Sequence, residues 1–291
     1  MNWQARPPGS GEGRPEILPP LAADPRNQPA NGDAYSSVEY QGIHQASSYD
    51  MAAEPAPRRR SRWASAPATY ILLAINLLVF LPMEFRPAVE QWVLDHGANS
   101  GVAETGYGQW WRVVSSTFIH NGIIHFGTNM WCLWNLGLLG EPLLGSYGLL
   151  GVYLLTGIGG SLLSTAVHPD AFSVGASGAI FGLAGVLIML LKSPLLPVPP
   201  QELQRLRRSV IWFAVVNFVI GGGISLAGTA LQIDNMAHLG GFLTGLVLGV
   251  PLLPRIGAPR GQFLQRQRLA YGGGIFVLLL LAYGIYRNHS G

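Results

Sequence analysis

Charge is scarce in this chain. Only 11% of its residues are Asp, Glu, Lys or Arg, while 49% are hydrophobic; a soluble domain carries about 25% charged residues. That shortage excludes an ordinary water-soluble fold and implies long stretches facing something other than water. Cysteine is nearly absent as well. Cys132 stands alone, which excludes an intramolecular disulfide and a cysteine-built zinc cluster; inside an apolar run it reads as a small buried hydrophobe. Lys192 is the single lysine among the basic residues, and the arginine preference, with abundant Ala, Gly and Pro, is the composition of a GC-rich bacterial genome. The first ~60 residues hold no apolar core long enough for a cleavable signal peptide, and Glu12, Glu16, Asp24, Asp33, Glu39, Asp50 and Glu54 run against a mitochondrial presequence. Membrane insertion is therefore expected from internal apolar segments.

Residues 1–56 are rich in Pro, Gly, Ala, Ser and Asn without apolar periodicity, so they read as disordered. Arg58-Arg59-Arg60-Ser61-Arg62 follows, directly before apolar sequence. That placement favours a membrane flank over a nucleic-acid patch. A membrane-spanning helix needs roughly 20 mostly apolar residues. Seven runs qualify: Ala64–Met83, Phe118–Gly140, Tyr147–Val167, Val174–Leu191, Ser209–Leu231, Asn235–Leu253 and Leu269–Tyr286. The fold class is thus all-α, a polytopic helical membrane bundle. The fourth run is short, and Gly272-Gly273-Gly274 is expected to soften the seventh.

The positive-inside rule orients the bundle. With the N-terminus inside, internal flanks carry Arg58, Arg59, Arg60, Arg62, Lys192, Arg205, Arg207, Arg208, Arg255, Arg260, Arg266 and Arg268. The other side receives only Arg86, Arg112 and Arg287. Trp92, Trp110 and Trp111 in the external stretch 84–117 fit an interfacial segment.

Polar side chains inside spans are costly and point to function. The second run opens with His120, His125 and Asn129, the fourth carries Ser177, and the sixth carries Asn235 and His238. All three runs start from the external side. By helical rise, Ser177 lies at most on the order of 10 Å below the edge set by Asp170, and His238 roughly 6 Å below Asp234. Helices distant in sequence thus place polar groups in one layer. A serine hydroxyl needs an adjacent base to become a nucleophile, and a neutral imidazole serves. His125 and Asn129, spaced i and i+4, share a helix face and are expected to point together at the site, where an oxyanion needs donors. No Asp or Glu lies in a span near His238, so a dyad fits better than a triad. Each feature has a plainer reading. Gly175-Ala176-Ser177-Gly178 alone suits a helix-packing face, a lone His238 suits a helix-bridging hydrogen bond, and His120 with His125 lack the third ligand that a metal would need. Their shared depth favours chemistry.

These residues, taken in order, resemble a known family. Trp111-Arg112, His120 and His125 followed by Asn129, Gly175-Ala176-Ser177-Gly178, Glu141 with Gly145, and Ala237-His238 with Gly241 and Gly245 are similar to the motifs of the rhomboid intramembrane serine proteases. The resemblance covers about Gln109 to Leu253. It implies Ser177 as nucleophile, His238 as general base, and His125 and Asn129 with the Ser177 amide as oxyanion hole. Arg112, His120 and Gly175 would support the site, and Gly241 and Gly245 would let the sixth helix approach the fourth. Where some members have tyrosine one turn below the nucleophile, this chain has Phe181, which can stack on His238 but cannot donate a hydroxyl hydrogen bond. A seventh span departs from the six-helix pattern.

The resemblance further implies hydrolysis of peptide bonds in or near transmembrane helices of other proteins, with no cofactor and no metal. The expected partners are transmembrane protein substrates and the lipid bilayer, with no nucleic acid. The expected organisation is a disordered cytoplasmic segment 1–62, a six-helix protease core 63–254, and a linker with the seventh helix and a short external tail, 255–291. The expected location is a bacterial inner membrane, with the N-terminus cytoplasmic and the site open to the external side. A catalytically dead relative would have lost Ser177 or His238. A small transporter would not need both motifs in alternate, same-sided helices. Zinc and aspartyl intramembrane proteases are disfavoured, since no His-Glu-x-x-His run occurs and no span holds two aspartates.

Overall fold

The computed structural model describes residues 66–196, 198–226, 233–253 and 260–289, all within one compact unit spanning 59–291. The segment 1–62 lies outside the described residues. Helix α1 (Pro67–Phe85) starts with a proline at its first turn, where the missing N–H costs nothing. It ends at Arg86, held extended (φ −138°, ψ 96°) because the following Pro87 disfavours helical geometry there. Pro87 then opens α2 (Pro87–Gly97). Next come strand β1 (Asn99–Ser100), a π-helical turn (Val102–Gly106), helix α3 (Arg112–Ser115) and a 3₁₀ turn (Ser116–Phe118).

Then come helices α4 (Ile123–Leu144), α5 (Ser146–Val167), α6 (Ser177–Leu190), α7 (Pro200–Leu226), α8 (Asn235–Gly249) and α9 (Arg260–His289). Strand β2 (Phe172–Ser173) pairs antiparallel with β1, Asn99 opposite Ser173 and Ser100 opposite Phe172. The fold is a helical bundle carrying this one short ribbon, a feature the all-α expectation omitted.

Among the described residues, three helices are long and apolar enough to cross a membrane: Pro67–Phe85, Ser146–Val167 and Gly261–His289. The others are shorter or diluted by polar residues. His125, Asn129, Asn135 and Glu141 lower the hydropathy of α4, and charged residues fill the first turns of α7. Helix α6 has 14 residues, about 21 Å of rise against a hydrocarbon layer of about 30 Å. Its missing first turn is the stretch 172–176, which enters as ribbon and loop. Non-helical backbone at such depth is tolerated only when buried in protein or lining water.

Two expected boundaries and one expected weak point change accordingly. The fourth span starts as a helix at Ser177 and not at Val174, because Gly175 has φ +127°, outside any right-handed helix. The second starts at Ile123, after Gly122 with φ +80°, leaving His120 in the preceding loop. In the seventh, α9 runs unbroken through Gly272–Gly274.

The core sits where α5, α6 and α8 meet, with Leu149, Val152, Tyr153, Leu183, Val186 and Leu187 at most 1% exposed. Tertiary hydrogen bonds tie the outer helices to it. Glu141, at the end of α4, accepts from the Ala68 and Thr69 amides at 2.8 Å each and from Thr69 Oγ1 at 2.7 Å, so its carboxylate caps the start of α1 from another helix. Gln267 and Tyr271 of α9 donate to the Leu144 and Gly148 carbonyls at 3.0 and 2.8 Å.

Candidate active site

The nucleophile candidate opens a helix. Ser177 is the first residue of α6, so its amide has no intrahelical acceptor. The approach is set by two bonds from the segment that precedes α4: the Gly175 amide donates to the Ser116 carbonyl at 2.9 Å, and the Ala176 amide donates to His120 Nε2 at 3.3 Å. His120 therefore shapes the loop that presents Ser177. The base candidate sits one turn into α8, where His238 Nε2 lies 2.8 Å from Ser177 Oγ. With Nε2 accepting, the ring proton resides on Nδ1, which is buried with no hydrogen-bond partner among the described residues. The Phe181 ring, one turn below Ser177, stacks on the imidazole with centroids 4.3 Å apart and planes 13° apart. His238 is 6% exposed and Ser177 half-buried, so the hydroxyl remains reachable.

That distance depends on backbones in near contact. A Cβ at Gly241 would fall 2.0 Å from the Gly178 carbonyl oxygen, and one at Gly245 2.0 Å from that of Gly182. Real Cβ atoms do not approach so closely, so only glycine fits at either position. The resemblance pointed to this pair; Gly159, Gly160 and Gly240 went unnoticed, yet a Cβ at Gly160 would fall 2.6 Å from the Ala237 carbonyl and one at Gly240 2.6 Å from that of Gly159. Three helices, not two, share the close packing.

The oxyanion candidates divide. A Cβ at Gly175 would lie 2.7 Å from His125 Nε2 and 3.8 Å from Ser177 Oγ, so the imidazole and the hydroxyl border the same small space. Asn129 Nδ2 donates to the His125 carbonyl of its own helix at 2.9 Å, which uses one of its two N–H donors. A buried amide must find an acceptor, and the carbonyl one turn back is the nearest. Arg112 pins the end of α2 and the segment after it, donating from Nε to Gln109 Oε1 at 2.7 Å, from Nη1 to the Ala98 carbonyl at 2.9 Å and from Nη2 to the Asp95 carbonyl. Among the described residues no group of three or more His, Cys, Asp or Glu side chains is arranged to hold a metal ion.

The rhomboid domain matches residues 107–255, just over half of the chain. The chain belongs to the rhomboid family. It is 33% identical over 195 residues to the rhomboid protease GluP of Bacillus subtilis (strain 168), covering 65% of this chain and 36% of that protein. It is 36% identical over 147 residues to RHOMBOID-like protein 2 of Arabidopsis thaliana, covering 50% and 44%. It is 31% identical over 185 residues to the chloroplastic Rhomboid-like protein 11 of Arabidopsis thaliana, covering 61% and 62%. The chain thus spans less than two thirds of the length of these relatives.

The rhomboid match takes in Arg112, His120, His125, Asn129, Ser177 and His238 and leaves out α1, α2 and α9. Other residues tied to the site escaped sequence reasoning. Asp234 caps α8, its Oδ1 accepting the Ala237 amide at 2.9 Å, and Ser164 of α5 donates to its Oδ2. An acidic residue three before Ala237, at the edge of an apolar run, is the signal that would have found it. Glu104 is fully buried in the segment that precedes α4 and accepts from Thr165 Oγ1 at 2.7 Å and the Ser100 amide at 3.2 Å. Burial raises its carboxyl above the ordinary range, opposed by those two hydrogen bonds and by the Arg112 charge. No periodicity marks such a residue in the sequence.

Proposed function

We propose that this rhomboid is an intramembrane serine endopeptidase, hydrolysing peptide bonds in or near transmembrane segments of membrane proteins with Ser177 and His238 as a dyad. The observation that carries this reading is the 2.8 Å separation of Ser177 Oγ and His238 Nε2, with the Phe181 ring stacked on the imidazole. In the first step the Ser177 hydroxyl proton passes to His238 Nε2 as Oγ bonds to the substrate carbonyl carbon. The carbonyl π electrons move to oxygen, and His125 with the Ser177 amide supplies donors to that oxyanion. Collapse breaks the C–N bond, and the proton on His238 goes to the departing amine. Water then attacks the acyl ester, His238 taking its proton and returning it to Ser177 Oγ. No carboxylate orients Nδ1 in this scheme; the Phe181 face and the α8 backbone hold the ring instead. Asn129 keeps a second Nδ2 proton beyond the one given to the His125 carbonyl, and that proton is the one it would offer to the same oxyanion.

The rest of the reading follows the charges. The arginine clusters favour a cytoplasmic N-terminus and a site facing the external side, in a bacterial inner membrane. Residues 63–254 form the protease core, and 255–291 contribute an additional helix. The printed activity of the Bacillus relative, a rhomboid protease, supports the assignment. The test is cleavage of a single-span reporter by purified chain in liposomes. Ser177→Ala and His238→Ala are each expected to insert normally, to lose cleavage, and to lose labelling by a fluorophosphonate probe. Near-wild-type cleavage by Ser177→Ala would refute the mechanism.

A further inference from the structure

His238 faces an unusual difficulty. Its Nδ1 has no hydrogen-bond partner among the described residues, so no acceptor behind the ring fixes its position. The imidazole must be aimed from its backbone, helped by the Phe181 stack. That backbone hangs from one residue. The His238 amide donates to the Asp234 carbonyl at 3.2 Å, and the Asp234 carboxylate accepts the Ala237 amide at 2.9 Å, satisfying a donor that the helix start leaves open. A cap alone would fix only the local turn. Here the second carboxylate oxygen accepts from Ser164 Oγ of α5, which locks the cap to a neighbouring helix. The Ala237 carbonyl meanwhile rests against Gly160 and Gly178, where a Cβ would lie 2.6 and 3.3 Å from it. Residues 234 to 238 are thus gripped on both sides of the turn that carries the base.

We propose that Asp234, clamped by Ser164, is the positioning residue of the dyad, setting the start of α8 so that His238 Nε2 reaches Ser177 Oγ. It touches neither substrate nor the reacting atoms. The inference rests on the Ser177–His238 reading and adds a residue to it. Loss of the carboxylate frees the first turn of α8, and a misplacement of about 1 Å at a reacting group can cost about 10² in rate.

The experiment is steady-state cleavage of the single-span reporter by the full chain in liposomes, with kcat and KM resolved and the folded fraction measured by thermal unfolding. Asp234→Ala is expected to lower kcat about 10²-fold with KM unchanged, and to slow fluorophosphonate labelling in parallel. Asp234→Asn is expected to recover most of kcat, since an amide oxygen still accepts the Ala237 N–H. Ser164→Ala should lower kcat less, and its effect should vanish in the Asp234→Ala background, as coupled neighbours require. Thr69→Ala, remote from the site, serves as the destabilised control. The proposal is overturned by wild-type kcat in Asp234→Ala, by Asp234→Asn as impaired as Asp234→Ala, by a change confined to KM, or by an equal kcat loss in Thr69→Ala. Cleavage surviving in Ser177→Ala would instead sink the dyad itself, so the two failures are distinguishable.

Discussion

The trio α5, α6 and α8 and the outer helices α7 and α9 are built on opposite rules. In the trio, glycine carbonyls and Cα atoms meet where no side chain fits, as at Gly241 against Gly178. In α9, a Cβ at Gly272 or Gly273 would meet nothing within 4 Å, and Ile275, Phe276, Val277 and Leu279 point outward, each at least half exposed. The face of α7 is similar, with Trp212, Val219 and Ile220 exposed. Lipid gives no hydrophobic drive for helix association, so contact must come from close packing of small residues and from hydrogen bonds. Where the chain needs a 2.8 Å contact between helices, it packs backbone on backbone. Where it needs only to face lipid, it displays large side chains.

The contrast breaks most severely at Gly241→Val. A side chain 2.0 Å from a carbonyl oxygen forces α8 away from α6, and both cleavage and cooperative unfolding are expected to be lost, as read by reporter cleavage and by thermal unfolding in detergent. His125→Ala should leave folding intact yet reduce kcat by about 10²–10³, with Asn129→Ala reducing it less, because the Asn129 amide is engaged with its own helix. Equal losses from both would show that Asn129 gives its second proton to the oxyanion during turnover. Glu141→Ala tests the periphery. It strands the Ala68 and Thr69 amides at about 1–3 kcal/mol each, so the unfolding temperature should fall while kcat of the folded fraction stays unchanged. The smallest effect is expected from Gly273→Ala, neutral or stabilising by up to about 1 kcal/mol, measured by the same unfolding assay. A marked loss of activity there would mean that α9 has a closely packed partner in the membrane.

Some of this was legible beforehand. Motif order placed Ser177 and His238 in alternate helices, and hydropathy located every long helix to within part of its length. The rest lies in backbone geometry and in hydrogen-bond partners that a linear pattern does not carry. Depth was counted by helical rise from Asp170, yet the chain reaches Ser177 through a strand pair and Gly175 at φ +127°. Asn129 was assigned by face, but face does not say which acceptor an amide takes. Seeking the base of a dyad within the spans passed over Asp234, which acts on α8 from just before its first residue.

The sequence by itself determined that the chain is a lipid-facing helical bundle, and which residue types could do acyl chemistry, because hydropathy and motif spacing are local properties readable along one dimension. Only the tertiary structure decided that a hydroxyl and an imidazole separated by 61 positions stand within hydrogen-bonding distance. It decided too that His125 borders them while Asn129 gives one of its amide protons to the His125 carbonyl. Those facts depend on contacts between helices, where one added Cβ would hold two backbones apart, and such contacts exist only once the whole bundle has closed.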